Sequence, residues 1–390
     1  MINIPKLFSI TFFIFLIFSF LLPEDSNAIP AFARKYKISC NTCHQVFPRL
    51  KEYGDEFAGN GFIIKEKETE RSYVTAGDEL LWLNKDFPIA ARIDLFATHE
   101  QGQHVENDFQ IPWGLKLLSG GTLYKNIGYY FYFYMQEHGE VAGIEDAYIH
   151  FDNIFSTNLD VMIGQFQICD PLMKRELRLT YEDYMIYKTY IGSSNMNLAY
   201  DRGFILAYGV EKTGTDLVGM VVNGNGKPEA VDDKLDQDNH KSVALRVNQG
   251  IMDFMSIGGF YYTGKEDSPD SNRTNKVTYY GPDLTFGMGP FELIAQYLIR
   301  EDNNPNFLSD ASKVKTNGYV VELTFAPDLE RSRYYFTALY NMIDSDDYKY
   351  NTATLSFTYQ LARNLRLITE YTRDLENEKN RIVLGMVSAF

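Results

Sequence analysis

The sequence predicts an all-β protein, a 16-stranded antiparallel transmembrane β-barrel of the outer-membrane type that follows a small N-terminal helical segment. Three observations predict this class. The chain begins with an apolar export segment, continues after residue 88 in short segments of alternating polarity, and contains 28 Tyr and 28 Phe among 390 residues. Rings with a polar tip suit the boundary between membrane and water. The net charge of −15 argues against nucleic acid as a partner, because phosphates would be repelled.

Residues 1–28 have the pattern of a secretory signal peptide. Lys6 precedes the apolar run LFSITFFIFLIFSFLL, and the small residues SNA end at Ala28. A retained transmembrane anchor is the alternative, but the run is short for a span and its flanks suit cleavage. No later run of about 18 apolar residues occurs, so no helix is expected to cross a membrane. We expect the mature chain to begin at Ile29 in an oxidising compartment.

The stretch KYKISCNTCHQVFPRL contains Cys40, Cys43 and His44 in the spacing C-x-x-C-H. In an exported chain this is the attachment pattern of c-type haem. Two thiols one helical turn apart can add to the two vinyl groups of one haem, and the adjacent imidazole can bind the iron as proximal ligand. The sequence therefore predicts one haem c, bound covalently through Cys40 and Cys43 with His44 on the iron.

Two other uses of this cysteine pair fit the sequence less well. A zinc site needs a further ligand close by, and neither Cys nor His occurs between Gln45 and Thr98. A disulfide of the thioredoxin type needs a βαβ context, which the surrounding sequence lacks. The third cysteine, Cys169, is expected to be an unpaired structural thiol.

The stretch PRLKEYGDEFAGNGF predicts a short helix that packs on the haem edge. Leu50, Tyr53 and Phe57 recur at helical spacing, and a Gly-Asn-Gly sequence ends the pattern. The segment 29–86 is too short to bury a haem alone. Residues 45–86 contain neither Met nor His, so the sixth iron position is open, filled by a weaker donor, or filled by the barrel.

From Pro88 onward the segments have the length that a tilted transmembrane strand needs. Connections after odd strands are predicted to be long external loops, and those after even strands to be tight periplasmic turns. The long segment 168–199 is expected to fold into the lumen as a constriction. The predicted strands are 88–99, 109–119, 125–137, 143–152, 157–167, 200–211, 215–223, 240–249, 252–263, 275–287, 290–300, 315–326, 331–343, 350–361, 363–373 and 379–390.

Strand parity assigns polar residues to the lumen and apolar residues to the lipid. Tyr130, Tyr132 and Tyr134 share lumen parity on the third predicted strand. His150 also faces the lumen, near the periplasmic end of its strand, and is the candidate distal iron ligand. Met162 on the neighbouring strand is a weaker candidate because it lies higher. A histidine satisfied at the barrel rim is the alternative use of His150.

Residues 30–62, PAFARKYKISCNTCHQVFPRLKEYGDEFAGNGF, resemble the fused monohaem cytochrome c–porin family of outer-membrane iron oxidases. The barrel matches that family in pattern only. The resemblance implies transfer of single electrons across the outer membrane, from an extracellular donor such as Fe(II) to a periplasmic c-type cytochrome. If the chain is an enzyme, it implies an Fe(II)-oxidising electron-transfer oxidoreductase. Beside the haem motif, the residues that carry the resemblance are Phe32, Ala33, Arg34, Pro48, Gly54 and Phe57.

The expected domains are a signal peptide (1–28), a monohaem cytochrome c segment (29–86) on the periplasmic side or in the lumen, and an outer-membrane porin-like β-barrel (87–390). Two other functions stay open. GQF at 164–166 before the long loop looks like the phosphate-selective porin family, so the alternative is a diffusion porin for small anions such as phosphate with a haem-bearing plug. A third hypothesis is an enzyme that acts on a small molecule at an open haem position. Acidic loops such as EAVDDKLDQDN fit a cation donor, and equally fit a solvated surface.

Overall fold

A helical N-terminal segment precedes the barrel in the computed structural model. Its elements are helix α1 (Ala31–Tyr36), a 3-10 turn (Cys40–Thr42), helix α2 (Glu52–Gly59) and a two-stranded ladder of β1 (Tyr73–Val74) and β2 (Leu83–Asn84). No helix in the described part of the chain is long and apolar enough to cross a membrane. The predicted signal peptide lies outside the described residues, which are 31–64, 67–68, 73–74, 77–78, 80–84, 87–268, 272–346 and 348–390.

Sixteen antiparallel strands, β3 to β18, form one closed barrel, which confirms the predicted fold class. The last strand closes on the first, with Arg381 opposite Glu100 and Ala389 opposite Arg92. The strands are β3 (Ile89–Glu100), β4 (Asn107–Tyr124), β5 (Ile127–Glu137), β6 (Gly143–Phe151), β7 (Leu159–Phe166), β8 (Asp201–Val210), β9 (Thr215–Val222), β10 (Ser242–Met252), β11 (Met255–Asp267), β12 (Thr274–Met288), β13 (Phe291–Asp302), β14 (Val314–Phe325), β15 (Tyr334–Ser345), β16 (Lys349–Ala362), β17 (Leu365–Asp374) and β18 (Asn380–Ala389).

The largest boundary difference is in β4, which continues to Tyr124 although the sequence predicts its end at Ser119. Gly120 and Gly121 have the composition of a turn, but both are strand residues. The glycine is needed for a close approach, because a Cβ at Gly120 would lie 3.0 Å from Cζ of Phe32 in the N-terminal segment. The strand therefore stays regular where the segment packs against it.

The strand faces alternate between lumen and outer surface, as the sequence predicts. Tyr132 and Tyr134 are buried, whereas Leu384 on the outer face of β18 is 57% exposed. The connections at one end of the barrel include the long loops 167–200 and 223–241. Those at the other end are short turns, apart from some longer connections such as that between β14 and β15. This asymmetry distinguishes a short-turn end from a long-loop end.

The loop 167–200, which includes helix α3 (Met185–Lys188), folds into the lumen, as predicted. Tyr187 and Leu198 of this loop are fully buried and pack against inward-facing strand residues. Arg300 on β13 donates hydrogen bonds to the carbonyl of Met196 at 2.9 Å and to another loop carbonyl at 3.0 Å. The loop is therefore part of the barrel's interior rather than an external excursion.

Candidate functional site

Cys40 is the first residue of the short 3-10 turn, and Cys43 follows its last residue. The amide of Asn41 donates to Oγ of Ser39 at 3.4 Å, which caps the turn, and the amide of His44 donates to the carbonyl of Cys40 at 2.9 Å. These local bonds keep Cys40, Cys43 and His44 within one helical turn. Both thiols of the pair are free in this structure.

Helix α2 packs directly on this turn because residue 54 is glycine. A Cβ at Gly54 would lie 2.1 Å from the carbonyl oxygen of Cys43, so any other residue would push the helix away. The amide of Lys51 donates to the same carbonyl at 2.9 Å, just before the helix begins. The helix is therefore fixed against the backbone of the haem motif.

The predicted helix exists, but the predicted face is wrong at Tyr53. Leu50 precedes the helix and Phe57 is buried in it, and both line the cavity beside the haem motif. Tyr53 is 41% exposed and does not line this cavity. The close contact at Gly54 turns Gly54, Phe57 and Ala58 toward the motif instead.

Cys40, Cys43 and His44 all line one cavity of about 250 Å³ between the N-terminal segment and the barrel wall. Its walls are mostly apolar, and aromatic rings form part of them. The ring of Phe62 stacks on Tyr130 of β5 with centroids 4.9 Å apart, so the segment contacts the wall directly. The rings that line the cavity include Phe32, Phe57 and Phe62 from the segment and Tyr130, Tyr132 and Tyr148 from the wall.

The imidazole of His44 is oriented by a backbone carbonyl. Its Nδ1 lies 2.8 Å from the oxygen of Pro48. A carbonyl oxygen only accepts, so Nδ1 carries the hydrogen and Nε2 keeps its lone pair. Burial lowers the pKa of His44, although the carbonyls of Pro48 and Arg49 oppose this shift. A neutral imidazole held through Nδ1 is the form that binds a metal through Nε2.

The cysteines lack the electrostatics of a redox or catalytic thiol. Burial raises the pKa of Cys40 and that of Cys43, whereas redox-active cysteines have a lowered pKa. Among the described residues, no group of three or more His, Cys, Asp or Glu side chains could hold a bare metal ion. A covalent haem c needs fewer ligands from the protein than a bare metal ion, namely two thiols and one axial imidazole beside an apolar wall. The residues present fit this requirement.

His150 and Met162, the two candidate distal ligands, do not line this cavity. They are paired residues on β6 and β7. His150 is 3% exposed and packs beside Gly61 of the N-terminal segment, and its Nε2 lies 4.0 Å from Oδ2 of Asp160. His44 is the one His or Met among the described residues that line the cavity. Distal ligation by His150 or Met162 stays a prediction.

Buried charges fix the N-terminal segment inside the barrel. Arg49 forms ion pairs with Glu292 and Glu322 and donates to the hydroxyl of Tyr184 at 3.3 Å. Burial would lower the pKa of Arg49, but the two carboxylates outweigh it and raise this pKa, so the guanidinium stays charged. The sequence gives no signal for this cluster, because the carboxylates lie 243 and 273 residues further along the chain.

The segment and the long loop meet inside the lumen, and together we call them the lumen plug (31–64 and 167–200). Val46 of the segment packs with Leu179 of the loop and Tyr335 of the wall. The hydroxyl of Tyr335 also donates to a backbone carbonyl of the segment at 2.9 Å. The plug is therefore held both by its own contacts and by the barrel.

Several solved outer-membrane porins and channels share this barrel. An anion-selective porin from Comamonas acidovorans matches with a TM-score of 0.59 and 10% identity, over 78% of this chain and 99% of that one. OmpF of Salmonella typhi in complex with daunomycin matches with a TM-score of 0.57 and 11% identity, over 78% and 97%. The channel DcaP of Acinetobacter baumannii matches at 0.52 and 15% identity, over 78% and 97%. No family model and no curated protein matches the sequence. The chain has the 16-stranded fold of outer-membrane porins.

Proposed function

We propose that this chain is an outer-membrane protein that carries single electrons through a plugged barrel on one covalent haem c. The observation that supports this most is that Cys40, Cys43 and His44 line one mostly apolar cavity inside the barrel. A haem bound there supplies a one-electron carrier. The donor is an extracellular one such as Fe(II), and the acceptor is a periplasmic c-type cytochrome.

The chain's own residues have three tasks in this proposal. Cys40 and Cys43 attach the cofactor, and the carbonyl of Pro48 orients His44 toward the iron. The rings of the cavity exclude water, which keeps the cofactor in an environment of low dielectric constant. The lumen plug blocks the passage of small solutes while it holds the cofactor between the two ends of the barrel.

The orientation follows from the ends of the barrel. Outer-membrane barrels have short periplasmic turns and longer extracellular loops. Strand β3 begins and strand β18 ends at the short-turn end of the barrel. This end therefore faces the periplasm, and the segment that carries His44 enters the barrel from it. In this orientation the loop 167–200 separates the cavity from the extracellular side.

The comparisons favour a second function over electron transfer, a diffusion porin for small anions such as phosphate with the haem segment as a plug. The three solved structures named above are porins or channels, and one is an anion-selective porin. Arg92 and Lys116 lie on the inner wall, but both pair with Asp94 and Lys116 is buried, so neither presents a free charge to an anion. Against it stand the buried contacts of the lumen plug, which leave less room for diffusion.

One pair of measurements on purified, haem-loaded protein separates the two functions. Electron transfer predicts that externally added Fe(II) reduces the haem and that the protein conducts ions poorly in planar bilayers. The diffusion porin predicts steady anion conductance and a haem that stays oxidised in Fe(II). The second result would refute the electron-transfer proposal.

A further inference from the structure

Two carboxylates line the same cavity as the haem motif and serve neither attachment nor docking. Asp146 lies on β6, and Asp170 lies near the start of the long loop. Asp146 is 5% exposed, and within the described part of the chain Oδ1 of each carboxylate is buried without a hydrogen-bond partner. Asp170 is also the carboxylate that repels Asp146 most strongly. A buried anionic oxygen without a partner is costly, so a cation that bound to these two carboxylates would be stabilised by them.

The cations nearby are bound elsewhere. Lys174 pairs with Asp55 at 2.6 Å, and Lys227 pairs with Glu145. Among the residues that the structure describes, neither Asp146 nor Asp170 forms an ion pair. Arg175, the other cation that acts on Asp170, pairs with Asp183 at 2.9 Å, so within the described ranges no cation forms an ion pair with either carboxylate.

We propose that Asp146 and Asp170 bind a divalent first-row metal cation in this cavity. A doubly charged cation neutralises two carboxylates, and hard oxygen ligands suit Mn(II) and Fe(II). The amide of Gln167 lines the same cavity and can add a third oxygen. With so few protein ligands, water completes the coordination, so the cation binds weakly and exchanges. Weak exchange is the behaviour of a substrate rather than of a resident metal.

The inference rests on the proposed function only where it names Fe(II) as the cation and electron donor. In that role Asp146 and Asp170 would hold a ferrous ion that becomes ferric by giving up one electron, and a ferric haem held by Cys40, Cys43 and His44 would supply the one-electron acceptor. The site differs from the acidic external loops, whose carboxylates at Asp232 and Asp233 are exposed to solvent. Those loops therefore offer a matched control.

The test is a titration of the purified, full-length protein with Mn(II), in which the EPR signal of the free ion measures binding. Asp146→Asn/Asp170→Asn removes both charges and keeps the side-chain shape, which relieves repulsion and should preserve the fold. Asp232→Asn/Asp233→Asn is the control, because both residues have positive φ and Asn tolerates that conformation. We expect one bound Mn(II) in wild type and in the control, and an affinity at least about tenfold lower in the cavity variant.

Equal Mn(II) affinity in wild type and in Asp146→Asn/Asp170→Asn would overturn the inference. Haem staining and reduction of the haem by Fe(II) are measured on the same samples. The result can therefore refute the cation site without refuting the proposed function, or the reverse. Haem that is attached and reduced, together with equal Mn(II) binding, refutes the cation site and keeps the proposed function. Mn(II) binding that is lost in the cavity variant of a protein without covalent haem keeps the site and refutes the proposed function.

Discussion

Replacing Arg49 by Met should release the lumen plug. Arg49 joins the N-terminal segment to Glu292 and Glu322 on the inner wall. Removing one partner of a buried ion pair costs about 3–5 kcal/mol. The hydroxyl of Tyr184 still donates to Glu322 at 2.7 Å, so we place the cost at the lower end, about 3 kcal/mol. That is a rise of about a hundredfold in the undocked fraction of the plug.

The assay is single-channel conductance in planar bilayers. We expect Arg49→Met to open long-lived conducting states that wild type lacks, because an undocked segment leaves its part of the lumen to water. Arg331→Met is the matched control, since Arg331 is an exposed arginine in the turn between β14 and β15. Unchanged heat modifiability on gels establishes that each variant retains the barrel. A folded Arg49→Met protein with the conductance of wild type would refute this account of how the plug is held.

Three further predictions concern the cavity. After denaturing electrophoresis the wild-type band should stain for haem, because thioether bonds do not depend on the fold. Cys43→Ser should weaken the stain, and Cys40→Ser/Cys43→Ser should abolish it. An unstained wild-type band from a host that matures c-type haem would contradict the covalent attachment. If His150 is the distal ligand, His150→Ala should convert a low-spin ferric haem spectrum to high spin, and Met162→Ala should not. An unchanged spectrum in both variants would contradict distal ligation and would agree with the position of both side chains outside the cavity lining. The raised pKa of Asp170, about 6, means that its protonated form is favoured by folding. The stability that protonated Asp170 contributes is fully present below about pH 4 and is lost as the pH rises through 6. In the presence of a chelator, the melting temperature of wild type should therefore fall more steeply over that pH range than the melting temperature of Asp170→Asn. Parallel curves of melting temperature against pH would contradict this prediction.

The barrel was predictable because its signals are local. Alternation of polarity along each strand and the lengths of successive connections require no knowledge of distant contacts. Each predicted strand therefore has an observed counterpart, with errors at the ends, as at Gly120 in β4. The haem motif was equally local, since Cys40, Cys43 and His44 lie within five residues.

The interior of the lumen was not predictable, because its contacts join residues far apart in the chain. Nothing in the sequence pairs Arg49 with Glu322, 273 residues away. Asp146 has the strand parity of His150, which the sequence assigns to the lumen, but its shared cavity with Asp170 depends on how the long loop folds back. The face of α2 also depended on one tertiary contact, the approach of Gly54 to Cys43. Strand parity predicts which side of the barrel wall a residue faces, whereas tertiary packing determines which residues are in contact.

The central claim is that electrons cross the barrel while small solutes do not. Proteoliposomes that contain the haem-loaded protein and enclose ferric cytochrome c test it directly, with Fe(II) added outside. We predict that the enclosed cytochrome becomes reduced at a rate that depends on the protein, that Cys40→Ser/Cys43→Ser abolishes this reduction, and that enclosed phosphate is retained. An enclosed cytochrome that stays oxidised while phosphate escapes would contradict the claim and identify a diffusion porin.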